Sequence, residues 1–288
     1  MIQKRYLFFL FQFFALQARE EDDITSKQGN FALPTSQQPA PLFCFGQTIM
    51  DKGDIQGYAY VDYLLSDNSS FTEVVPQIYY AVRDDLCIGF GLPIAAQFIM
   101  QKHHSSGLQD CILQAEYAFY NNDHPTYGNQ FTFVGNITFP SGSTKKDPVT
   151  GLGSPSFFLG MTASHMSEKW YLFVSPGYII TTPHGNKHLG NQWLYQWGIG
   201  RNLYYTSQKR LLTLILEFFG TQGGLDTLPL KASQRLGGTN LFIGPSVWFA
   251  TPKYIVNAGI AFPAMQKVSR INTKHKFIFA AEIGYKFN

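Results

Sequence analysis

Residues 277–287 constrain the fold more than any other part of the chain. At a period of two, Phe277, Phe279, Ala281, Ile283, Tyr285 and Phe287 fall on one face, and Ile278, Ala280, Glu282, Gly284 and Lys286 on the other. One face is apolar and ends in aromatics; the other is small or charged. Strands of soluble proteins usually stop after about 5–6 residues. The eleven positions here span roughly 36 Å at about 3.3 Å per residue, and a tilt near 45° reduces this to about 25 Å, the height of a membrane barrel's apolar band. The pattern predicts a strand that crosses a bilayer.

The other end of the chain reads as an export signal. Lys4 and Arg5 precede an apolar run over residues 6–16, followed by Gln17, Ala18 and the polar Arg19-Glu20-Glu21-Asp22-Asp23. This is the layout of a signal peptide over residues 1–18, cleaved after Ala18. The run falls short of the roughly 18 apolar residues a spanning helix needs, and no later window reaches that length. Residues 19–53 carry Pro34, Gln37, Gln38, Pro39 and Pro41 with a short apolar patch at 42–45 and no sustained period. They are expected to form a flexible periplasmic segment, or else a plug folded back into the pore.

Without Lys4 and Arg5 the formal charge falls from +3 to +1, so no strong field favours nucleic acid or an acidic partner. Charged residues make up only 14% of the chain and aromatics 16%, with 26 Phe and 16 Tyr. That composition would leave a soluble protein with a sticky exterior, but it suits a wall that faces lipid. Cys44, Cys87 and Cys111 cannot all pair, and none has a metal-ligand spacing.

From Asp54 onward, alternating runs are separated by turn-rich gaps, at 54–65, 71–82, 86–98, 111–120, 130–140, 156–165, 170–182, 193–202, 211–219, 240–250, 254–262 and the C-terminal strand. The first run turns Ile55, Ala59, Val61, Tyr63 and Leu65 outward and Gln56, Tyr58, Tyr60 and Asp62 inward. The ninth sets Leu212, Leu214, Leu216 and Phe218 against Thr213, Ile215 and Glu217. An even count suits a barrel with both ends on one side of the membrane, and closure is obligatory because lipid cannot satisfy an open sheet edge. The expected architecture is all-β, a single transmembrane antiparallel β-barrel of about 12 strands over residues 54–288, with counts of 10 and 14 left open. Short inner turns such as 83–85 and 251–253 contrast with outer loops at 66–70, 99–110, 141–155, 183–190, 220–239 and 263–275. Four of those six are expected to exceed ten residues.

Inward positions of these strands carry Asp62, Glu116, Glu217, Glu282 and Lys286 among Tyr58, Tyr60, Tyr204 and Trp248. Such a mixture lines a path in which rings stack on an amphipathic molecule and carboxylates fix its polar end; the alternative is that these groups bond one another and close a narrow pore. An acidic face toward lipid is disfavoured on cost, about 2–4 kcal/mol for Lys or Arg at the midplane and somewhat less for Asp or Glu. His104-Ser105-Ser106-Gly107, expected in an outer loop, contains the H-x-S spacing found in outer-membrane lipid hydrolases, but the Asn that follows there is missing. His165-Met166-Ser167 repeats the spacing. His103, His104, His184 and His188 could meet at the outer rim around a metal, although loop histidines are more often only solvated. Gly151-Leu152-Gly153 has no strand-to-helix context and is not a phosphate loop. No residue pattern calls for a cofactor.

The hairpin Pro76-Gln77-Ile78-Tyr79-Tyr80-Ala81-Val82-Arg83-Asp84-Asp85-Leu86, continued through Gly89, Gly91 and Pro93, resembles that of the outer-membrane family named for the meta-cleavage pathway of phenol degradation. Gly151-Leu152-Gly153-Ser154-Pro155, residues 170–178 and Gly284-Tyr285 extend the resemblance across most of residues 54–288, although Ser154 stands where an acidic residue is common. An aromatic beside the last position, Phe287, also resembles the signal by which such barrels engage their assembly machinery. The resemblance implies an outer-membrane transporter for aromatic or other hydrophobic compounds and carries over no catalytic residue. The expected function is thus passive passage of small hydrophobic or aromatic molecules. A non-transporting barrel that displays its outer loops is the alternative, and a lipid hydrolase the third reading.

Overall fold

The computed structural model describes residues 28–124, 126–185, 189–206, 209–224, 238–268 and 274–287. The expected signal peptide, His188, and parts of the expected loops at 220–239 and 263–275 lie outside them. The strands are β1 (Ile55–Ser66), β2 (Ser69–Arg83), β3 (Leu86–Gly91), β4 (Ile94–Met100), β5 (His103–Leu108), β6 (Cys111–Asp123), β7 (Tyr127–Phe139), β8 (Ser156–Ser167), β9 (Trp170–Val174), β10 (Gly177–Thr181), β11 (Gln192–Thr206), β12 (Arg210–Gly223), β13 (Gly238–Ala250), β14 (Tyr254–Val268) and β15 (His275–Lys286). Every pairing is antiparallel, and β1 pairs with both β2 and β15, which closes the barrel. The fifteen segments make twelve staves, because β3 with β4, β5 with β6, and β9 with β10 each form one interrupted stave.

The predicted phase holds around the closure. Gln56, Tyr58, Tyr60 and Asp62 stand opposite Lys286, Gly284, Glu282 and Ala280, and residues directly opposite share a face. The other face of β15 meets the exterior, with Ile283 and Phe279 exposed. Inward glycines have a packing reason. The rings of Tyr58, Tyr79 and Phe173 lie over the glycines paired opposite them, Gly284, Gly89 and Gly198, where an added Cβ would come within 2.9, 2.3 and 2.5 Å of the ring. These three inward rings pack flat across the wall because their cross-strand partners have no side chain.

Two interruptions fall at proline. Pro93 and Pro176 have no N–H to give the ladder, so the staves break between Gly91 and Ile94 and between Val174 and Gly177. The ladder is bridged locally: Gln109 N–H donates to the Pro93 carbonyl at 2.9 Å, and Met161 N–H to that of Pro176 at 3.0 Å.

The strands outrun the sequence expectation. Residues 99–110, expected as an outer loop, are largely strand, joined by a two-residue turn at Gln101-Lys102 with Gln101 at φ 56°. Residues 121–129 and 263–275 are likewise partly strand. Beyond the lipid a strand needs only its ladder and no apolar alternation, so polar rims such as His103–Leu108 read as loop in the sequence.

Candidate functional site

Residues 28–53 lie along the inner wall. The path begins at the rim that also carries the chain's last strand end. There Gly29 adopts φ +58°, and an added Cβ would fall 2.0 Å from the Glu168 carbonyl oxygen. The neighbouring Asn30 is fully buried; its N–H donates to Glu168 O at 2.9 Å and its amide to Ser167 O at 2.9 Å. Further in, Leu33 joins a core with Tyr171, Leu211, Ile215, Trp248 and Ile255.

From Leu42 the segment runs round the barrel interior, and inward side chains of β12, β11 and β6 take its backbone N–H groups. Glu217 on β12 accepts from Leu42 N and Phe43 N, each at 2.9 Å, and from Ser246 Oγ at 3.0 Å. Gln196 on β11 accepts from Phe45 N at 3.1 Å, and Glu116 on β6 from Thr48 N at 2.8 Å. Asp84, in the β2–β3 turn, accepts from Lys52 N at 2.7 Å. An irregular backbone inside a barrel has no ladder of its own, so these side chains supply the acceptors that strands would otherwise provide.

Aromatic packing completes the fit. Phe43 stacks on Phe219 at 5.1 Å and fills space over Gly244 and Gly259, while Phe45 meets Phe158 edge-on at 4.6 Å over Gly160 and Gly177. Gly46, at φ +77°, passes so close to Val134 that a Cβ would lie 2.7 Å from its methyl group. Between these rings Cys44 approaches Glu217; burial first, and then that carboxylate, push its thiol well above the ordinary value. All three cysteines are free thiols.

The expected lumen residues divide into groups. Glu116 and Glu217 are fully buried beneath the segment and are occupied by its N–H groups. Lys286 forms an ion pair with Asp54 at 2.5 Å. Tyr58, Tyr60, Trp248 and Glu282 line a cavity of about 220 Å3 between the segment and the wall, and Asp62 faces inward opposite Glu73. Tyr204 is a correction. It is 59% exposed and points outward, because a bulge between Asn202 and Tyr204 places it opposite the outward Leu212. The added residue reverses the phase that held up to Asn202.

Several contributors were not singled out in the sequence. Glu73 accepts from Gln109 Nε2 at 2.6 Å, Gln114 donates to Glu116 at 2.8 Å, and the Tyr171 hydroxyl bonds Gln47. The signal for Glu73 was its shared parity with Gln77 and Tyr79 on β2; no comparable signal marks Gln47. His104 and Ser106 lie on β5, a strand and not the expected loop, and the Ser106 carbonyl accepts from Lys146. His103 pairs with Asp147 at 2.9 Å. Among the described residues no three His, Cys, Asp or Glu side chains cluster as metal ligands.

The lipid-facing wall has one further feature. An apolar trough of about 610 Å3 lies over Gly135, Gly160, Pro176 and Gly177, flanked by Phe133, Leu159 and Trp193. At Gly160 the wall is one backbone thick, with the Phe45 ring directly behind it.

A closed twelve-stave barrel with an apolar exterior, filled from within by its own N-terminal segment, is an outer-membrane β-barrel. The chain belongs to the family described as "Putative MetA-pathway of phenol degradation", which matches residues 49–264. Among solved structures it is similar to the COG4313 outer membrane channel from Pseudomonas putida F1, with a TM-score of 0.68 at 15% identity over 83% of this chain and 97% of that one. The NanC porin is more distant, with a TM-score of 0.50 at 8% identity over 80% of this chain and 100% of that one. These likenesses concern the fold. Comparison with curated proteins finds no match.

Proposed function

We propose that this protein is a channel of the bacterial outer membrane for small hydrophobic or aromatic molecules, closed at rest by residues 28–53 acting as a plug. The observation that carries this reading is how the segment is held. Four backbone N–H groups fasten it to three inward side chains, a fifth reaches Asp84 in the β2–β3 turn, and two ring contacts add to these, all of them non-covalent. The staves close by their own ladder without it, so the segment can move while the barrel stands. The family match and the channel fold support passage, and the aromatic interior and the apolar trough outside Gly160 support a hydrophobic cargo.

The filled interior favours a second reading, a closed barrel that displays its outer loops. Removing residues 28–48 separates the two. In planar bilayers the full chain should give few or small conductance steps and the shortened chain large ones, and proteoliposomes of the shortened chain should take up a neutral aromatic faster. A shortened chain that folds yet conducts no better than the full chain sinks the channel reading.

A further inference from the structure

Three of the inward glutamates do different work. Glu217 and Glu116 accept the N–H groups of the segment, whereas Glu282 takes part in no hydrogen bond or ion pair among the described residues. It faces the cavity of about 220 Å3, enough for about seven waters at roughly 30 Å3 each or for one small organic molecule. Among the described residues Glu282 is the only carboxylate of that lining, which contains no Lys, Arg or His. Around it stand the rings of Tyr58, Tyr60, Tyr79 and Trp248, with Tyr58 and Tyr79 edge to face at 5.7 Å.

The neighbouring inward positions share one row with Glu282. Tyr60, Glu282, Asn257 and Trp248 form one cross-strand row over β1, β15, β14 and β13. In that row Asn257 is fully buried with both amide atoms unpartnered, and Trp248 is 2% exposed with an unpartnered indole N–H. Two of those three atoms are donors that an ammonium cannot meet, so the charge of a cation falls to the carboxylate and the ring faces. A carboxylate ringed by aromatic faces and lacking a protein cation is the arrangement that receives an ammonium group, the rings acting through their negative faces and the carboxylate through its charge.

We infer that the cavity beside Glu282 binds an organic cation, a protonated amine or quaternary ammonium on a small apolar body. Glu282 holds the charge, and Tyr60 and Trp248 cover it. The remaining inward charges are consistent with this: Asp62 and Glu73 are acidic, and Lys286 is already paired with Asp54. This ligand class refines the channel proposed above and rests on it for the ligand's route to the cavity.

Calorimetry on the detergent-solubilised full chain tests it, with phenethylammonium and its neutral counterpart 2-phenylethanol as probes. Phenethylammonium should bind at least about tenfold more tightly. Glu282→Gln should abolish that preference, and Tyr60→Leu should weaken phenethylammonium binding while 2-phenylethanol changes less. Equal binding of the two probes, or a preference that survives Glu282→Gln, overturns the inference; if that variant does not fold, unchanged phenethylammonium binding by Tyr60→Leu does the same. Uptake of 2-phenylethanol into proteoliposomes reads the channel separately. Uptake without an ammonium preference removes only the ligand class, and a preference without uptake removes only the route.

Discussion

The two sides of the barrel interior use the same residue type in opposite ways. On the β6–β12 side, inward carboxylates meet the N–H groups of the chain's own segment and are buried under it. On the β1–β15 side, Glu282 faces open space among rings. Both kinds of position alternate correctly along their strands, and both were equally visible as inward acids. What distinguishes them is the irregular stretch that passes one side and leaves a gap at the other. An inward charge in a filled barrel therefore reports first on what fills it and only second on what travels through it.

The sharpest way to break that contrast is Glu217→Ala. It leaves Leu42 N, Phe43 N and Ser246 Oγ without their acceptor, and an unmet buried donor costs about 1–3 kcal/mol. The segment should loosen enough for residues 28–53 to become protease-sensitive and for bilayer conductance to rise. Unchanged protection would mean that the ring contacts and the N–H bonds to Gln196, Glu116 and Asp84 suffice to hold it.

Gly46→Ala should act in the same direction with a smaller effect. It forces a side chain into a left-handed backbone and against Val134, at about 1–3 kcal/mol, part of which a shift of the segment relieves. Glu282→Gln provides the contrast. With no hydrogen bond or ion pair to lose among the described residues, it should change stability far less than Glu217→Ala and leave protease protection intact, while lowering cation selectivity of any residual current. If it loosened the segment as Glu217→Ala does, the two sides would not differ.

The fold was readable in the sequence because the membrane imposes one rule on every stave. Residues 277–287 and 211–219 show the alternation without interruption, and the register of β1 with β15 follows that reading residue for residue. Tyr204 was misplaced because a bulge adds one residue and reverses the phase, and nothing in the local composition announces it. The strand at His103–Leu108 was missed because it has left the lipid and owes its shape to pairing with β4 alone. The path of residues 28–53 was illegible for another reason. Its partners are single side chains on distant strands, Glu217, Gln196 and Glu116, which meet an aperiodic stretch only once the barrel has closed.

The smallest expected effect, and the most local probe of the contrast, is the reactivity of Cys44. Its thiol is pushed up by burial and by Glu217, so the thiolate that attacks a maleimide is scarce. In a Cys87→Ala, Cys111→Ala background, labelling of the native protein should be slow at pH 7 and rise about tenfold per pH unit. It should still be climbing at pH 9, where an unfolded control with an ordinary thiol is levelling off. In Glu217→Ala both causes weaken, since the carboxylate is gone and the loosened segment admits water. The rise should then begin at lower pH and the rate at pH 7 increase. Labelling follows the segment at one atom, so it rises with a local opening at Leu42 and Phe43 as well as with withdrawal of the whole segment, in which Lys52 would also leave Asp84. Identical pH profiles for the parent and Glu217→Ala would show that burial by the surrounding wall alone controls the thiol, and that Glu217 does not govern the state of the segment.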